Sequence, residues 1–410
     1  MTAFGLAAAR VVTCDPLVTS GGAAGLGVIE DGVVGIDRGR IAYVGPRAGA
    51  PAGLPIEELG RCVVTPGLVD AHTHACWVGS RHAEYDDRMR GDDYRAIARA
   101  DGGILSTHRA VAASTVEALA AELAARLRRM AALGVTTVEV KSGYGLDGLH
   151  ERKQLAAIAR AGASRDVPSV VPTLLALHAL PPGVTDRAAF VTRVARELVP
   201  GVAAAGLARF VDAYVDADAF TVVEAREVGR AARAAGLGVR LHVGQFADVG
   251  GAELAAELGA ASADHLEQVS PGAIDGLARA GVAAVLLPIA SFTLGQSPPP
   301  IAALRAAGVR LVVASDANPG TAPTESLPLA MALAVRMYGL SSEEALLGAT
   351  RRAAEALGLT DRGMLRVGAR GDLVVWDLPH EQAIVQPWGT SKARSVRVEG
   401  REIAPRPAGT

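Results

Sequence analysis

The sequence predicts an α/β chain: a (β/α)8 TIM barrel carrying a small β-sandwich domain built from both chain termini. Three observations predict it. The middle of the 410-residue chain alternates short β-branched runs with Ala- and Arg-rich stretches of helical spacing. Eight strand candidates recur across that region. The two ends read instead as strands and turns.

At the N-terminal end, residues 32–46 form two alternating apolar runs around a polar, glycine-containing turn, which is a hairpin signal. Residues 371–377 and 396–403 have the same strand character. The ends are therefore expected to join as one domain, residues 1–64 with 363–410, around a barrel of residues 65–362. Barrel strands are expected at 63–72, 135–142, 169–178, 207–215, 238–243, 261–265, 282–288 and 309–316. Helices are expected at 116–133, 149–161, 221–235 and 251–258, where apolar positions follow helical spacing. The active site of such a barrel lies at the C-terminal ends of its strands. A doubly wound sheet shares the alternation, but no Gly-x-Gly-x-x-Gly turn follows an early strand. The run Pro298-Pro-Pro300 reads as a rigid loop.

Composition excludes several classes. Half of the residues are hydrophobic and a fifth are charged, which fits a large buried core and not a disordered chain. A net charge of -2 gives no basic surplus for nucleic acid or an anionic membrane. Cys14, Cys62 and Cys76 are odd in number, far apart and without a CxxC pair. Neither a disulfide framework nor a thiolate zinc site is indicated, and a reducing cytoplasm is expected. Arg10 and Asp15 interrupt the first apolar stretches and no basic segment precedes them, so no signal peptide is expected. No uninterrupted apolar run approaches ~18 residues, so no transmembrane helix is expected either. The excess of Ala, and of Arg over Lys, reads as codon bias.

Of nine histidines, His72, His74, His178, His242 and His265 fall at or near the ends of expected barrel strands. In Val69-Asp-Ala-His-Thr-His-Ala75, side chains two apart on a strand share a face, so His72 and His74 are expected to project together into the barrel mouth. That pair alone fits ordinary strand-end histidines as well as metal ligands. His242 closes strand five and Asp316 closes strand eight, which neighbours strand one in a closed barrel. Three imidazoles and a carboxylate can then converge on one divalent metal ion, zinc or iron, since these ligands suit both. Such an ion lowers the pKa of water toward ~7 and polarises a carbonyl. Asp316 is placed to accept a proton and return it to a leaving nitrogen, and His265, ending strand six, to donate to the substrate carbonyl or the attacking water. His265 also fits a hydrogen-bonded core histidine.

These segments resemble the amidohydrolase superfamily over nearly the whole chain: Pro66-Gly-Leu-Val-Asp-Ala-His-Thr-His74 resembles its strand-one signature, and 368–377 its return to the β-sandwich. Four further segments are similar to the imidazolonepropionase family: Glu139-Val-Lys-Ser-Gly-Tyr-Gly145, residues 250–265, Leu286-Leu-Pro288 with Phe292, and Asp316-Ala-Asn-Pro-Gly320. The resemblance implies hydrolysis of the ring amide of 4-imidazolone-5-propanoate to N-formimidoyl-L-glutamate. It implies that His72, His74, His242 and Asp316 hold the metal, and that Arg81, Tyr144, His178, Gln245, Asn318, Gly320 and Thr321 contact substrate or product. Arg81, in the loop after strand one, suits a carboxylate clamp. Tyr144 lies between Gly143 and Gly145, where the backbone can bend sharply to present a phenol.

One position departs from the family pattern. Some members carry Glu three residues after the strand-five histidine, where this chain has Gln245, and an amide is no general base at neutral pH. The base role then falls on Asp316 with His265 assisting, and Gln245 is expected to hold the substrate ring. The same position weighs against an aminoazole deaminase, the alternative on this scaffold beside other cyclic amidohydrolases. A non-enzymatic barrel would be expected to have lost ligands, and all four are present. Lys141, on expected strand two, raises the option of a metal-bridging carbamate, but its motif suits a single metal and a structural or electrostatic role. A homodimer is the expected assembly.

Overall fold

The computed structural model describes residues 3–19, 25–91 and 102–405. In chain order its strands are β1 (Phe4–Val12), β2 (Val28–Asp37), β3 (Arg40–Pro46) and β4 (Ile56–Pro66). Then come β5 (Leu68–Asp70), β6 (Val135–Lys141), β7 (Ser169–Leu177), β8 (Phe210–Val215), β9 (Gly238–Val243), β10 (Ser262–His265), β11 (Ala283–Leu286) and β12 (Leu311–Val313). Last are β13 (Leu373–Trp376), β14 (Ala393–Val398) and β15 (Arg401–Pro405). Strands β5 to β12 pair in sequence as an eight-stranded parallel sheet. The others form one mixed sheet in the order β15-β14-β13-β4-β1-β2-β3.

The mixed sheet joins the chain ends through β13, which runs antiparallel to β4 with Trp376 opposite Val63. The Trp376 indole donates to Thr65 Oγ1 at 2.9 Å, so the ring is buried with its one polar atom satisfied. The expected hairpin at 32–46 is β2–β3. Its two turn residues, Arg38 and Gly39, both have positive φ (47° and 80°), as a two-residue hairpin of right-handed twist requires. The segment 396–403 is itself a hairpin, β14–β15, turning at Glu399 and Gly400.

The parallel sheet sorts its residues by the two-residue strand period. On β6, Val138 and Val140 join the apolar cluster that contacts the surrounding helices, while Thr137, Glu139 and Lys141 alternate with them. Helices fill the returns: Val116–Ala131, Gly148–Gly162, Val222–Ala234 and Gly251–Leu258. Thr221 and Glu224 form a reciprocal capping box at the start of the third.

One expected strand is divided. Residues 63–66 belong to β4 in the mixed sheet, and the barrel begins only at Leu68. Gly67 makes the hand-over, because a Cβ there would lie 2.0 Å from Thr136 Oγ1. His72 and His74 consequently lie beyond β5 and not on it. Their segment is held by neighbours on both sides. Lys141 N–H donates to Thr73 O (3.0 Å), Asp316 N–H to His72 O (3.1 Å) and His74 N–H to Ala317 O (3.0 Å).

The last two of these bonds close the barrel between β5 and β12, helped by Asp70. Its carboxylate accepts Ser315 N–H at 3.0 Å and Ser315 Oγ–H at 2.5 Å. Gly67→Ala is predicted to lower unfolding stability by about 1–3 kcal/mol, the usual cost of overpacking a closed site. A urea or thermal midpoint equal to that of the parent chain would refute this account of the hand-over.

Candidate metal centre and its pocket

The inward positions of β6, β8, β9 and β10 hold Glu139, Lys141, Asp212, Arg240 and Asp264, all fully buried. Lys141 Nζ lies 2.9 Å from Glu139 Oε1 and 2.7 Å from Asp212 Oδ2. Arg240 Nη2 lies 3.1 Å from Asp264 Oδ2 and donates to Ala71 O at 2.8 Å. Burial opposes the Lys141 ammonium, but Asp212 and Glu139 outweigh it and its pKa is raised. Lys141 is thus a cation between two carboxylates, and not a free amine ready to become a carbamate.

Two of these carboxylates orient the histidines above them. His72 Nδ1–H donates to Asp264 Oδ2 at 2.6 Å, and His242 Nδ1–H to Asp212 Oδ1 at 3.1 Å. Each bond leaves the Nε2 lone pair directed at the barrel mouth. His74 Nε2 approaches His242 Nε2 to 3.2 Å. Asp316 Oδ1 stands 3.5 Å from both His72 Nε2 and His74 Nε2. Desolvation on burial holds His72 and His74 well below the ordinary histidine range and lowers His242 as well, so the rings are neutral. His72 Nε2 is buried with no hydrogen-bond partner among the described residues. The three histidines offer nitrogens within 4.8 Å of one another, and this cluster is able to coordinate a divalent metal ion.

Asp316 closes the group from the loop after β12, which ends at Val313, short of the expected strand end at 316. Its φ of 55° is left-handed, and Asn318 Nδ2–H ties its carbonyl at 2.7 Å. Burial pushes its carboxyl pKa up to about 7. His265, also at positive φ (81°), lies across the mouth with its ring 5.6 Å from that of His242. Burial disfavours its protonation, but Glu267, Asp316 and Asp264 outweigh that and raise its pKa. Glu267 Oε2 is 3.7 Å from His265 Nδ1.

A pocket opens over the cluster. Among its lining residues are His74, His242, His265 and Asp316, together with Arg81, Tyr144, His178 and Gln245. His178 stacks on His74 at 5.2 Å between centroids, and its Nδ1–H donates to Gly143 O at 2.7 Å. The Tyr144 ring lies 6.0 Å from His74 and 5.4 Å from His178. Arg81 grips Glu84 through Nε and Nη2 (2.9 and 2.8 Å). Gly320 lies under that guanidinium, where a Cβ would meet Arg81 Nη1 at 2.3 Å. Asn318 and Thr321 also line the pocket, but Asn318 Oδ1 accepts the N–H groups of Gly320 (2.8 Å) and Thr321 (2.7 Å). The Asn318 side chain is therefore committed to shaping its own turn. Gln245 Oε1 accepts Tyr214 O–H at 3.0 Å.

Sequence reasoning missed Tyr214, Ile104 and, apart from Lys141, the charged layer beneath the histidines. A signal for most of them existed. Asp212 and Tyr214 in Phe210–Val215, and Arg240 and His242 in Gly238–Val243, alternate with apolar residues and so mark the inward face of each strand.

Comparison with known proteins agrees with this geometry. Residues 90–403 match the Amidohydrolase family. An imidazolonepropionase of Methylobacterium sp. (strain 4-46) is 46% identical over 373 residues, covering 90% of this chain and 93% of the relative. One from Acidiphilium cryptum is 48% identical over 378 residues, covering 90% and 92%. Among solved structures, an adenosine deaminase from Xanthomonas campestris with bound zinc shares the fold, with a TM-score of 0.74 at 21% identity and coverage of 98% and 93%. An atrazine chlorohydrolase from Arthrobacter aurescens complexed with zinc shares it too, at 0.67 and 18%, covering 99% and 97%. The chain belongs to the amidohydrolase family, among the imidazolonepropionases.

Proposed function

We propose that the chain is a metal-dependent hydrolase that opens the ring amide of 4-imidazolone-5-propanoate to give N-formimidoyl-L-glutamate. The observation behind this reading is a three-histidine cluster with Asp316 at its edge, set in a pocket with a guanidinium, in a chain 46–48% identical to imidazolonepropionases. His72, His74, His242 and Asp316 would hold the ion, zinc or iron. Bound there, a divalent cation supplies Lewis acidity to a water molecule and to the scissile carbonyl.

The remaining work falls to side chains. Asp316 accepts the proton of the attacking water and delivers it to the departing ring nitrogen. His265 donates to the oxyanion that develops on the former carbonyl. Arg81 faces the propanoate carboxylate, and Tyr144 and His178 flank the ring. The Tyr214 bond to Gln245 Oε1 leaves the Gln245 amide N–H groups directed at substrate acceptors. Asn318, Gly320 and Thr321 contact substrate or product at the pocket edge, and they also fix the turn beside Asp316 and beneath Arg81.

The reading also divides the chain into a barrel of 65–362 and a terminal domain of 1–64 and 363–410. The Gly67 hand-over supports the first boundary. The net charge of -2 supports a protein with no nucleic-acid partner, and a homodimer in the cytoplasm is the assembly and location proposed. Among the described residues no helix is long and apolar enough to cross a membrane.

His242→Ala is expected to reduce bound metal to roughly a tenth of the parent content and turnover by on the order of 10³. Elemental analysis and loss of substrate absorbance measure the two, and retention of both would refute the ligand set. Arg81→Met is expected to raise KM about 10- to 100-fold with a smaller change in kcat, since a carboxylate clamp acts mainly on binding. An unchanged KM would remove Arg81 from the substrate site.

A further inference from the structure

We propose that Glu151 and Gln154 form a buried clamp that positions Tyr144 over the metal centre. The inference rests on the reading of Tyr144 as a substrate contact. Both residues lie on helix Gly148–Gly162, three apart and so on one face, and both are fully buried. Their helix otherwise buries Leu155, Ala157, Ile158 and Ala161. A carboxylate and an amide on such a face are costly unless each polar atom is partnered.

Their partners are the backbone of the Tyr144 loop. Glu151 Oε2 accepts Gly143 N–H at 2.8 Å, and Oε1 accepts Leu146 N–H at 2.6 Å. Gln154 Oε1 accepts the N–H of Tyr144 itself at 2.9 Å. The other end of the same amide donates to Cys76 O at 2.7 Å. Backbone groups at both ends fix which way this amide points. Cys76 follows His74 by two residues, so Gln154 ties the segment presenting a candidate ligand to the loop presenting the phenol. The carbonyl of Tyr144 is held as well, by His108 Nδ1–H at 2.9 Å.

The loop is pressed onto the helix as far as the chain allows. At Gly145 a Cβ would meet Glu151 N at 2.2 Å and His150 C at 2.4 Å. Local helix stability does not account for the arrangement. Asp147 already caps this helix, accepting His150 N–H at 2.8 Å. Glu151 and Gln154 therefore serve the loop and, through it, the placement of the Tyr144 ring beside the stacked His74 and His178.

The test uses metal-loaded enzyme. Glu151→Gln replaces one acceptor oxygen by an N–H donor facing a backbone N–H. Amide hydrogen exchange across residues 143–146 is expected to quicken about tenfold or more, KM to rise about tenfold, and kcat to stay within about threefold. Bound metal should be unchanged. Gln154→Met, which keeps the volume and loses the Tyr144 acceptor, should show the same pattern, and it decides the matter if Glu151→Gln does not fold. In a Tyr144→Phe background the KM effect of either substitution should fall below about twofold.

Unchanged exchange in both variants would overturn the clamp. So would a KM rise that persists undiminished in the Tyr144→Phe background. A Tyr144→Phe enzyme with parental KM would overturn the substrate contact and the clamp's functional role together. Failure of the ring-amide reading looks different: the parent enzyme itself would not turn the substrate over, and exchange would still judge the clamp.

Discussion

Everything at the mouth of this barrel depends on the ion pairs below it. Lys141 and Arg240 are positive, and Glu139, Asp212 and Asp264 are negative, in a volume closed to solvent. Buried ion pairs seldom add net stability, because the desolvation of each partner offsets their attraction. Their value here is positional. Asp264 and Asp212 each take one histidine N–H, and that fixes both the tautomer and the direction of the second nitrogen. The cations in turn stop those carboxylates from becoming neutral acids, which would be poorer acceptors. A charge deleted from this layer would therefore act on the histidines before it acted on the fold.

The barrel, the terminal sheet and the three clustered histidines were legible in the sequence because each rests on a local pattern. Period-two alternation reveals a strand, and a polar residue at its end reveals the mouth. What was not legible is set by contacts between distant segments. The division of 63–72 between two sheets depends on Thr136 lying against Gly67, almost 70 positions away. The occupation of Asn318 by its own turn, and of Gln245 Oε1 by Tyr214, likewise follows from side chains meeting in space. Charged residues inside β6, β8, β9 and β10 are an intermediate case. In β6, β8 and β9 their alternation with apolar residues is visible in the sequence, but not the identity of each partner.

Positive φ angles gather at the same rim. His265, Leu266 and Asp316 all adopt the left-handed region, which costs energy for residues other than glycine. Each departure lies at or just beyond the end of a strand, where the chain must leave the sheet. Neighbouring bonds hold these turns in place: Leu266 N–H to Val243 O at 3.0 Å, and Asp316 N–H to His72 O at 3.1 Å.

The joint between β5 and β12 has a consequence beyond closure. Asp70 and the loop bonds complete the ring there, and the proposed ligands stand on opposite banks, His72 and His74 on one side and Asp316 on the other. A cation shared across that gap would act as a clasp on the ring. Occupancy and cohesion of the barrel would then be thermodynamically linked, each strengthening the other by mass action. Scarcity of the ion would be felt by the whole cylinder and not by its chemistry alone.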